Sequence, residues 1–390
     1  LEKNCACGGL KVKVEAQNWR TPELDTSDDL SPQVASVNFT VHMDAGILVL
    51  VDIGGVKVWS MIDTGASMSV IDEALAKKLG LAVIGSTTLQ SDVGFTFRGI
   101  AKCPSIKLGG MSLAPTSALL APLSSLMETV GRQVSLIIGQ DALTPKLLEI
   151  DLPNRKLSLW DRKLAAIPPG FQQIALMRGP QGRRCINILI EGVSTAAVFD
   201  LGSSNAVMLS QRFSVREGFL AGRKLSTAAT GTLSGIEIST TCRLRDLTIA
   251  GFSVLHAPAE VFSSWICEDV PVNLGLPTFQ DFRMLVDFAG DSLWLSRIKG
   301  PQTPFRVDRA GLGLAFERDY LRVVHVALGG PAEHAGWQIG SEITAIDDHR
   351  IDADYVESGL CQWRFGEPGR TVKLNTSDGR SHELVLRDYI

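Results

Sequence analysis

Tyrosine is scarce in this 390-residue chain: there are three, Tyr320, Tyr355 and Tyr389, all in its last fifth. Histidine is nearly as scarce, with six residues, four of them beyond residue 320. None stands at ligand spacing with a cysteine or carboxylate, so the pattern of a metal enzyme is missing. The seven cysteines, at 5, 7, 103, 185, 242, 267 and 361, contain no C-x-x-C pair. Their number and spacing exclude a disulfide-dense scaffold and a zinc ribbon, although Cys242 and Cys267 could bridge within one domain. There is no basic run, and a net charge of −4 speaks against a nucleic-acid partner. The longest uncharged stretch, Leu108 to Met127, is interrupted throughout by Gly, Pro, Ser and Thr. A membrane helix needs about 20 predominantly apolar residues, so this stretch reads as strand, loop and short helix.

What is present is ample core material. Apolar residues make up 45% of the chain and charged residues 21%, and at one domain per ~150 residues the length suggests two or three domains. A start at Leu1 rather than Met is expected where an upstream signal peptide or anchor has been removed, or where the boundary was simply set there; it leans toward export and leaves membrane association open.

The chain repeats itself over a long period. Met61-Ile-Asp-Thr-Gly-Ala-Ser-Met-Ser-Val70 has a partner in Val198-Phe-Asp-Leu-Gly-Ser-Ser-Asn-Ala-Val207, and Asp63 and Asp200 are 137 residues apart. Leu136-Ile-Ile-Gly-Gln-Asp141 matches Asn273-Leu-Gly-Leu-Pro277, with Gly139 and Gly275 136 apart. Leu148-Glu-Ile-Asp151 matches Met284-Leu-Val-Asp287, and Leu157-Ser-Leu-Trp160 matches Leu293-Trp-Leu-Ser296, at the same step. A lone Asp-x-Gly-x-Ser is a common turn. Four landmarks in one order at a nearly constant step are not explained that way.

Both copies predict strands. Ile47–Ile53 and Val56–Ile62 are rich in β-branched and large apolar residues around a Gly54-Gly55 turn, and Cys185–Ile190, Glu191-Gly192 and Ser194–Phe199 repeat the design. Short helices are expected after each loop, at Asp72 to Leu79 and Ser210 to Arg216. Each aspartate therefore follows a buried strand and opens a Gly-containing loop. Gly65 and Gly202 allow a close approach of two such loops. If the lobes pack about a pseudo-twofold axis, Asp63 and Asp200 converge. Two carboxyl groups in contact cannot both ionise cheaply, so they share a proton that belongs to the pair. Such a dyad can activate a water while its protonated member polarises a carbonyl, with no metal or organic cofactor required.

These motifs resemble the retropepsin-type aspartic peptidases. The resemblance rests on Ile62-Asp-Thr-Gly-Ala-Ser67 and Ile137-Ile138-Gly139, with altered counterparts in the second copy. It implies a mostly β fold of two β-barrel lobes related by pseudo-twofold symmetry, at residues 37–162 and 163–299. It further implies Thr64, Gly65, Ser67, Gly202 and Ser203 as supports of the catalytic loops, and a substrate-covering hairpin, the flap, in each lobe. The flap candidates are Gly94 and Phe95 in the first lobe and Gly231 and Thr232 in the second. With every tyrosine beyond the lobes, a pepsin-style flap tyrosine is absent. Leu201 departs from the family, because the loop residue there should be a threonine that bonds across to the opposite loop.

After Ile298-Lys-Gly-Pro-Gln-Thr-Pro304, the clearest linker, the composition changes. Gly311-Leu-Gly-Leu314, Gly330-Pro331-Ala332, Ala335-Gly336 and Ile339-Gly340-Ser-Glu-Ile343 resemble a PDZ domain, of α+β class, over residues 300–390. That resemblance implies a peptide added as a strand, its carboxylate received by the backbone of Gly311, Leu312, Gly313 and Leu314. Peptidases with such a module occur in bacteria, which fits a periplasmic or exported protein. Residues 1–36 read as a lead segment, whose acidic stretch Glu23 to Asp29 is either flexible or inhibitory. Two functions follow: an aspartic endopeptidase acting on protein or peptide substrates, or a weak or inactive protease-fold scaffold that binds peptides.

Overall fold

The computed structural model describes residues 33–42, 45–93, 95–126, 131–232 and 235–390. The acidic stretch Glu23 to Asp29 and Gly94 lie outside the described residues. The fold is mostly β, in four sheets.

Each repeat copy forms a ten-stranded sheet. In the first, the path runs through Val83–Gln90, Phe95–Lys102, Ser117–Ala121, Val70–Asp72, Leu136–Ile138, Val56–Ile62, Ala45–Ile53, Ile106–Leu108 and Met111–Leu113, with Thr40–His42 beside Ala45–Ile53. In the second, it runs through Ser226–Thr232, Gly235–Arg243, Pro258–Phe262, Val207–Ser210, Val272–Gly275, Val193–Asp200, Arg184–Ile190, Asp246–Ile249 and Phe252–Leu255, with Met177–Arg178 beside Arg184–Ile190. Taken strand by strand, the two paths have the same order. The turns correspond as well: Gly54 and Gly55 have φ of 59° and 84°, and Glu191 and Gly192 have 50° and 87°. Positive φ at both central residues is the geometry that matches the twist of a tight hairpin. Glu191 tolerates it because its carboxylate is held by Arg223 at 2.5 Å and by the Arg245 amide at 2.7 Å.

Short helices stand at Glu73–Lys78 and Gln211–Arg216. Asp72 caps the first by accepting from the Ala74 and Leu75 amides, and Ser210 caps the second by accepting from the Phe213 amide. Such caps satisfy donors that a helix start leaves unpaired.

A third sheet of six strands joins the copies, in the order Gln33–Asn38, Lys156–Trp160, Leu147–Asp151, Phe282–Asp287, Ser292–Arg297, Gln172–Ala175. Its central pair is antiparallel, with Leu148 opposite Val286 and Asp151 opposite Arg283. Three strands come from each copy. Gln33–Asn38 begins inside the segment read from sequence as a lead, because its residues pair with Lys156–Trp160. One continuous apolar core fills the space between these sheets, including Ile62, Ile138, Leu148, Phe199, Leu274 and Met284.

The remaining residues form an antiparallel sheet in the order Leu312–Phe316, Leu321–Val326, Glu342–Ile346, Thr371–Thr376, Ser381–Val385, with its own core around Leu321, Val323, Ile343 and Val372. Pro32 to Ile390 is one compact unit. Cys242 and Cys267 do not bridge; both are free thiols. No helix among the described residues is long and apolar enough to cross a membrane.

Candidate functional site

Asp63 and Asp200 stand at matching ends of Val56–Ile62 and Val193–Asp200. The parallel strands Leu136–Ile138 and Val272–Gly275 lie beside them: Ile138 accepts the Asp63 amide at 3.0 Å, and Asp200 is in register with Gly275. Beneath each loop a glycine permits contact that no side chain could allow. A methyl built on Gly139 would lie 2.7 Å from the Met68 carbonyl carbon, and one on Gly275 only 1.9 Å from the Asn205 oxygen. Gln140 and Leu276 then return their amides to Ala66 and Ser203, at 2.9 Å in both cases.

The loops cross at the aspartates. A methyl on Gly65 would lie 2.4 Å from Asp200 Cγ, and one on Gly202 would lie 2.3 Å from Asp63 Cγ. The structure thus brings Asp63 and Asp200 together, each carboxylate against the opposite loop's glycine. Asp63 Oδ1 accepts the Gly65 and Ala66 amides at 2.7 and 3.0 Å, and Asp200 Oδ1 accepts the Gly202 amide at 3.0 Å. Burial, followed by the neighbouring Asp200 charge, pushes the Asp63 carboxyl up to about 8. Burial raises Asp200 as well, but the Asn273 amide opposes it by bonding to the charged form. Both carboxyls are thus raised and hold a proton as a pair, and the Asn273 bond favours the charged form on the Asp200 side.

Thr64 is fully buried, and its hydroxyl spans the loops, donating to Phe199 O at 3.0 Å and accepting the Leu201 amide at 2.8 Å. Leu201 returns nothing polar and instead joins the core. The Thr64 carbonyl is taken by Gln140 Nε2 at 2.7 Å. Of the other expected supports, Ser203 has its hydroxyl 3.8 Å from the Met208 sulfur. Around the first loop the bracing hydroxyl is Ser69 rather than Ser67: Ser69 Oγ donates to Asp141 at 2.8 Å and accepts the Gly139 amide at 3.1 Å.

The described flap candidates Phe95, Gly231 and Thr232 fall on two hairpins, Val83–Gln90 with Phe95–Lys102 and Ser226–Thr232 with Gly235–Arg243. Phe95 opens a strand. Gly231 and Thr232 are ladder residues, paired with Ile236 and Gly235. From the first hairpin, Asp92 and Val93 reach the second sheet. Val93 packs with Met208, Phe262 and Trp265, and Asp92 pairs with Arg183 at 2.6 Å. Asn273 bridges Asp92 and Asp200. Reading the sequence missed Asn273, Asp92, Arg183 and Gln140. One signal was available: Asn273 is a polar residue in a segment matched to Leu136-Ile-Ile-Gly139.

Gly311 immediately precedes the edge strand Leu312–Phe316, and Leu312, Gly313 and Leu314 lie within it. Two amides of this turn, those of Ala310 and Gly311, are already held by Asp308, at 3.2 and 2.9 Å. A methyl on Gly313 would sit 3.1 Å from the Ala229 methyl of the second hairpin. Alongside, Thr227 Oγ1 lies 3.0 Å from His325 Nε2 and accepts the Leu328 amide at 3.1 Å, while Ser226 Oγ donates to Leu328 O at 2.6 Å. The Gly-Leu-Gly-Leu segment therefore lies against the second hairpin and does not stand apart.

A search of curated proteins finds no match. Among solved structures, an aspartic proteinase from Irpex lacteus is similar at 14% identity and a TM-score of 0.45, covering 68% of this chain and 97% of that one. Residues 49–142, the stretch that carries Asp63-Thr64-Gly65 and Ile137-Ile138-Gly139, match the family model described as aspartyl protease.

Proposed function

We propose that the protein is an aspartic endopeptidase in which Asp63 and Asp200 form the catalytic dyad of two retropepsin-like lobes, residues 37–162 and 163–299, related by a pseudo-twofold axis. The observation that carries this reading is the reciprocal contact of Gly65 with Asp200 and Gly202 with Asp63. It holds two carboxyl groups on one spot with one proton between them. Asp200, as the anion, takes a proton from a water whose oxygen attacks the scissile carbonyl carbon. Asp63 donates its proton to the carbonyl oxygen. Collapse of the resulting diol breaks the C–N bond as a proton passes to the leaving amine, and the dyad regains its single proton. The hairpins around Asp92 and Gly231 cover the substrate, and residues 300–390, as a PDZ-like module, bind substrate or partner peptides along Leu312–Phe316.

Asp63→Asn and Asp200→Asn should each abolish cleavage of a denatured protein substrate at every pH between about 3 and 8, while the thermal melt stays cooperative. Cleavage retained by either variant rejects the dyad. Leu201 supports a second reading, a protease-fold scaffold without turnover, because the second loop offers no hydroxyl to the first. Saturable peptide binding by the wild-type chain with no cleavage at any pH would select that reading.

A further inference from the structure

Asn273 occupies the position in Val272–Gly275 that Ile137 occupies in Leu136–Ile138. Ile137 packs in an apolar cluster with Met61, Val70 and Leu119. Asn273 is as deeply placed, 1% exposed, but polar. Its Nδ2 donates to Asp200 Oδ2 at 2.7 Å and to Asp92 Oδ2 at 2.9 Å, while its Oδ1 has no hydrogen-bond partner. The reverse amide orientation would set that oxygen against two carboxylates, so the amino group is fixed toward them. The other Asp92 oxygen is paired with Arg183 Nη1 at 2.6 Å, with both side chains 8% exposed. The Asp92 backbone is tied as well, its carbonyl accepting the Ile266 amide at 2.8 Å.

We propose that Asn273 is a positioning residue for the dyad: oriented by the Asp92–Arg183 pair, it holds Asp200 as the ionised member and leaves the proton on Asp63. The inference rests on the hydrolytic reading of the site. The physical need for three residues is clear from their charges. Arg183 alone, bonded directly to Asp200, would stabilise the anion so strongly that it would be a poor base. With Asp92 between them the guanidinium is neutralised at close range, and Asp200 receives a neutral amide hydrogen bond instead. The titratable and charged groups around Asp200 are Asp63 across the loops and Asp92 and Arg183 beyond Asn273. Cys185 beside Arg183 is a buried thiol, pushed up to about 11 chiefly by burial, and carries no charge at the pH of the test.

The test uses Asn273→Ile, which installs the first sheet's residue, and Asp92→Asn, each in the full chain. Two readouts are followed against pH: kcat and KM on a peptide substrate, and the 13C shift of the Asp200 carboxyl. Asn273→Ile should lower kcat by about 10- to 100-fold with a smaller change in KM. It should move the Asp200 titration, and the acid limb of the kcat profile, to higher pH. Asp92→Asn should move both to lower pH, because Arg183 is then uncompensated. A purely structural role does not produce opposite shifts. Unchanged titrations, or shifts in the same direction, overturn the proposal, and if Asn273→Ile does not fold, the Asp92→Asn shift alone decides. An inactive wild type, or cleavage surviving Asp63→Asn, would defeat the hydrolytic reading instead, and the carboxyl titration would still report on Asn273.

Discussion

In the first sheet the residue after the aspartate is Thr64, and in the second it is Leu201; beside the loops, the first sheet has Ile137 where the second has Asn273. Strand order, tight turns and the glycines under the loops are otherwise common to both. The two differences are complementary. The first loop supplies the hydroxyl that locks the crossing, and the second sheet supplies the amide that fixes a charge state. A symmetric dyad has two equivalent places for one proton. Here, of the two aspartates, Asn273 bonds to Asp200, while Asp63 keeps its two backbone amides, so the places are unequal. Repetition builds the site, and departures from repetition give its halves separate roles.

Where the halves are alike, breaking either should cost the same. Gly65→Ala and Gly202→Ala each drive a methyl into the opposite carboxylate, at 2.4 and 2.3 Å from its Cγ. The loops must separate, and kcat should fall by at least about 100-fold for both variants, with a stability loss of about 1–3 kcal/mol. Steady-state kinetics and urea unfolding measure the two effects. A large loss for one glycine and none for the other would show that the crossing is not reciprocal.

Where the halves differ, the effects should differ. Thr64→Val strands the buried Leu201 amide and Phe199 carbonyl, which costs about 1–3 kcal/mol. Leu201→Thr trades packing at a fully buried site for a hydroxyl the crossing already does without. It should cost about 1–2 kcal/mol and leave kcat within roughly threefold. A tenfold rise in kcat for Leu201→Thr would instead mean that the missing hydroxyl limits turnover.

Much of this was legible before any coordinates, and the reason is local. The Asp-x-Gly loops, the Gly54-Gly55 and Glu191-Gly192 turns and the caps at Asp72 and Ser210 are set by neighbours in sequence, and so they can be read there. The repeat step revealed which distant segments correspond. The Asp92–Asn273–Arg183 chain could not be read this way, since its members come from three elements up to 181 residues apart and meet only after both sheets form. The disposition of Gly313 against Ala229 was hidden for the same reason. The resemblance points to Ser67, yet the hydroxyl that bonds Asp141 and the Gly139 amide belongs to Ser69.

The inequality of the two aspartates also has a signature that needs no substrate. Burial, and then the Asp200 charge, pushes the Asp63 carboxyl up to about 8 in the folded chain, against about 3.9 for an unfolded aspartate. A raised folded value means that the folded state binds the proton more tightly than the unfolded state does. The associated stability is therefore fully present below about pH 4 and is lost progressively as pH rises toward about 8, beyond which no further loss follows. Asparagine cannot titrate, so Asp63→Asn should remove this slope. The stability of the wild-type chain minus that of Asp63→Asn should fall across that window and flatten above it. Asp200→Asn should remove a different dependence, because it also takes away the charge that helps to raise Asp63. Paired denaturant unfolding of the three proteins at several pH values gives the comparison directly. A wild-type chain and an Asp63→Asn variant whose stabilities run parallel from about pH 4 to 8 would mean that the proton is not held on Asp63.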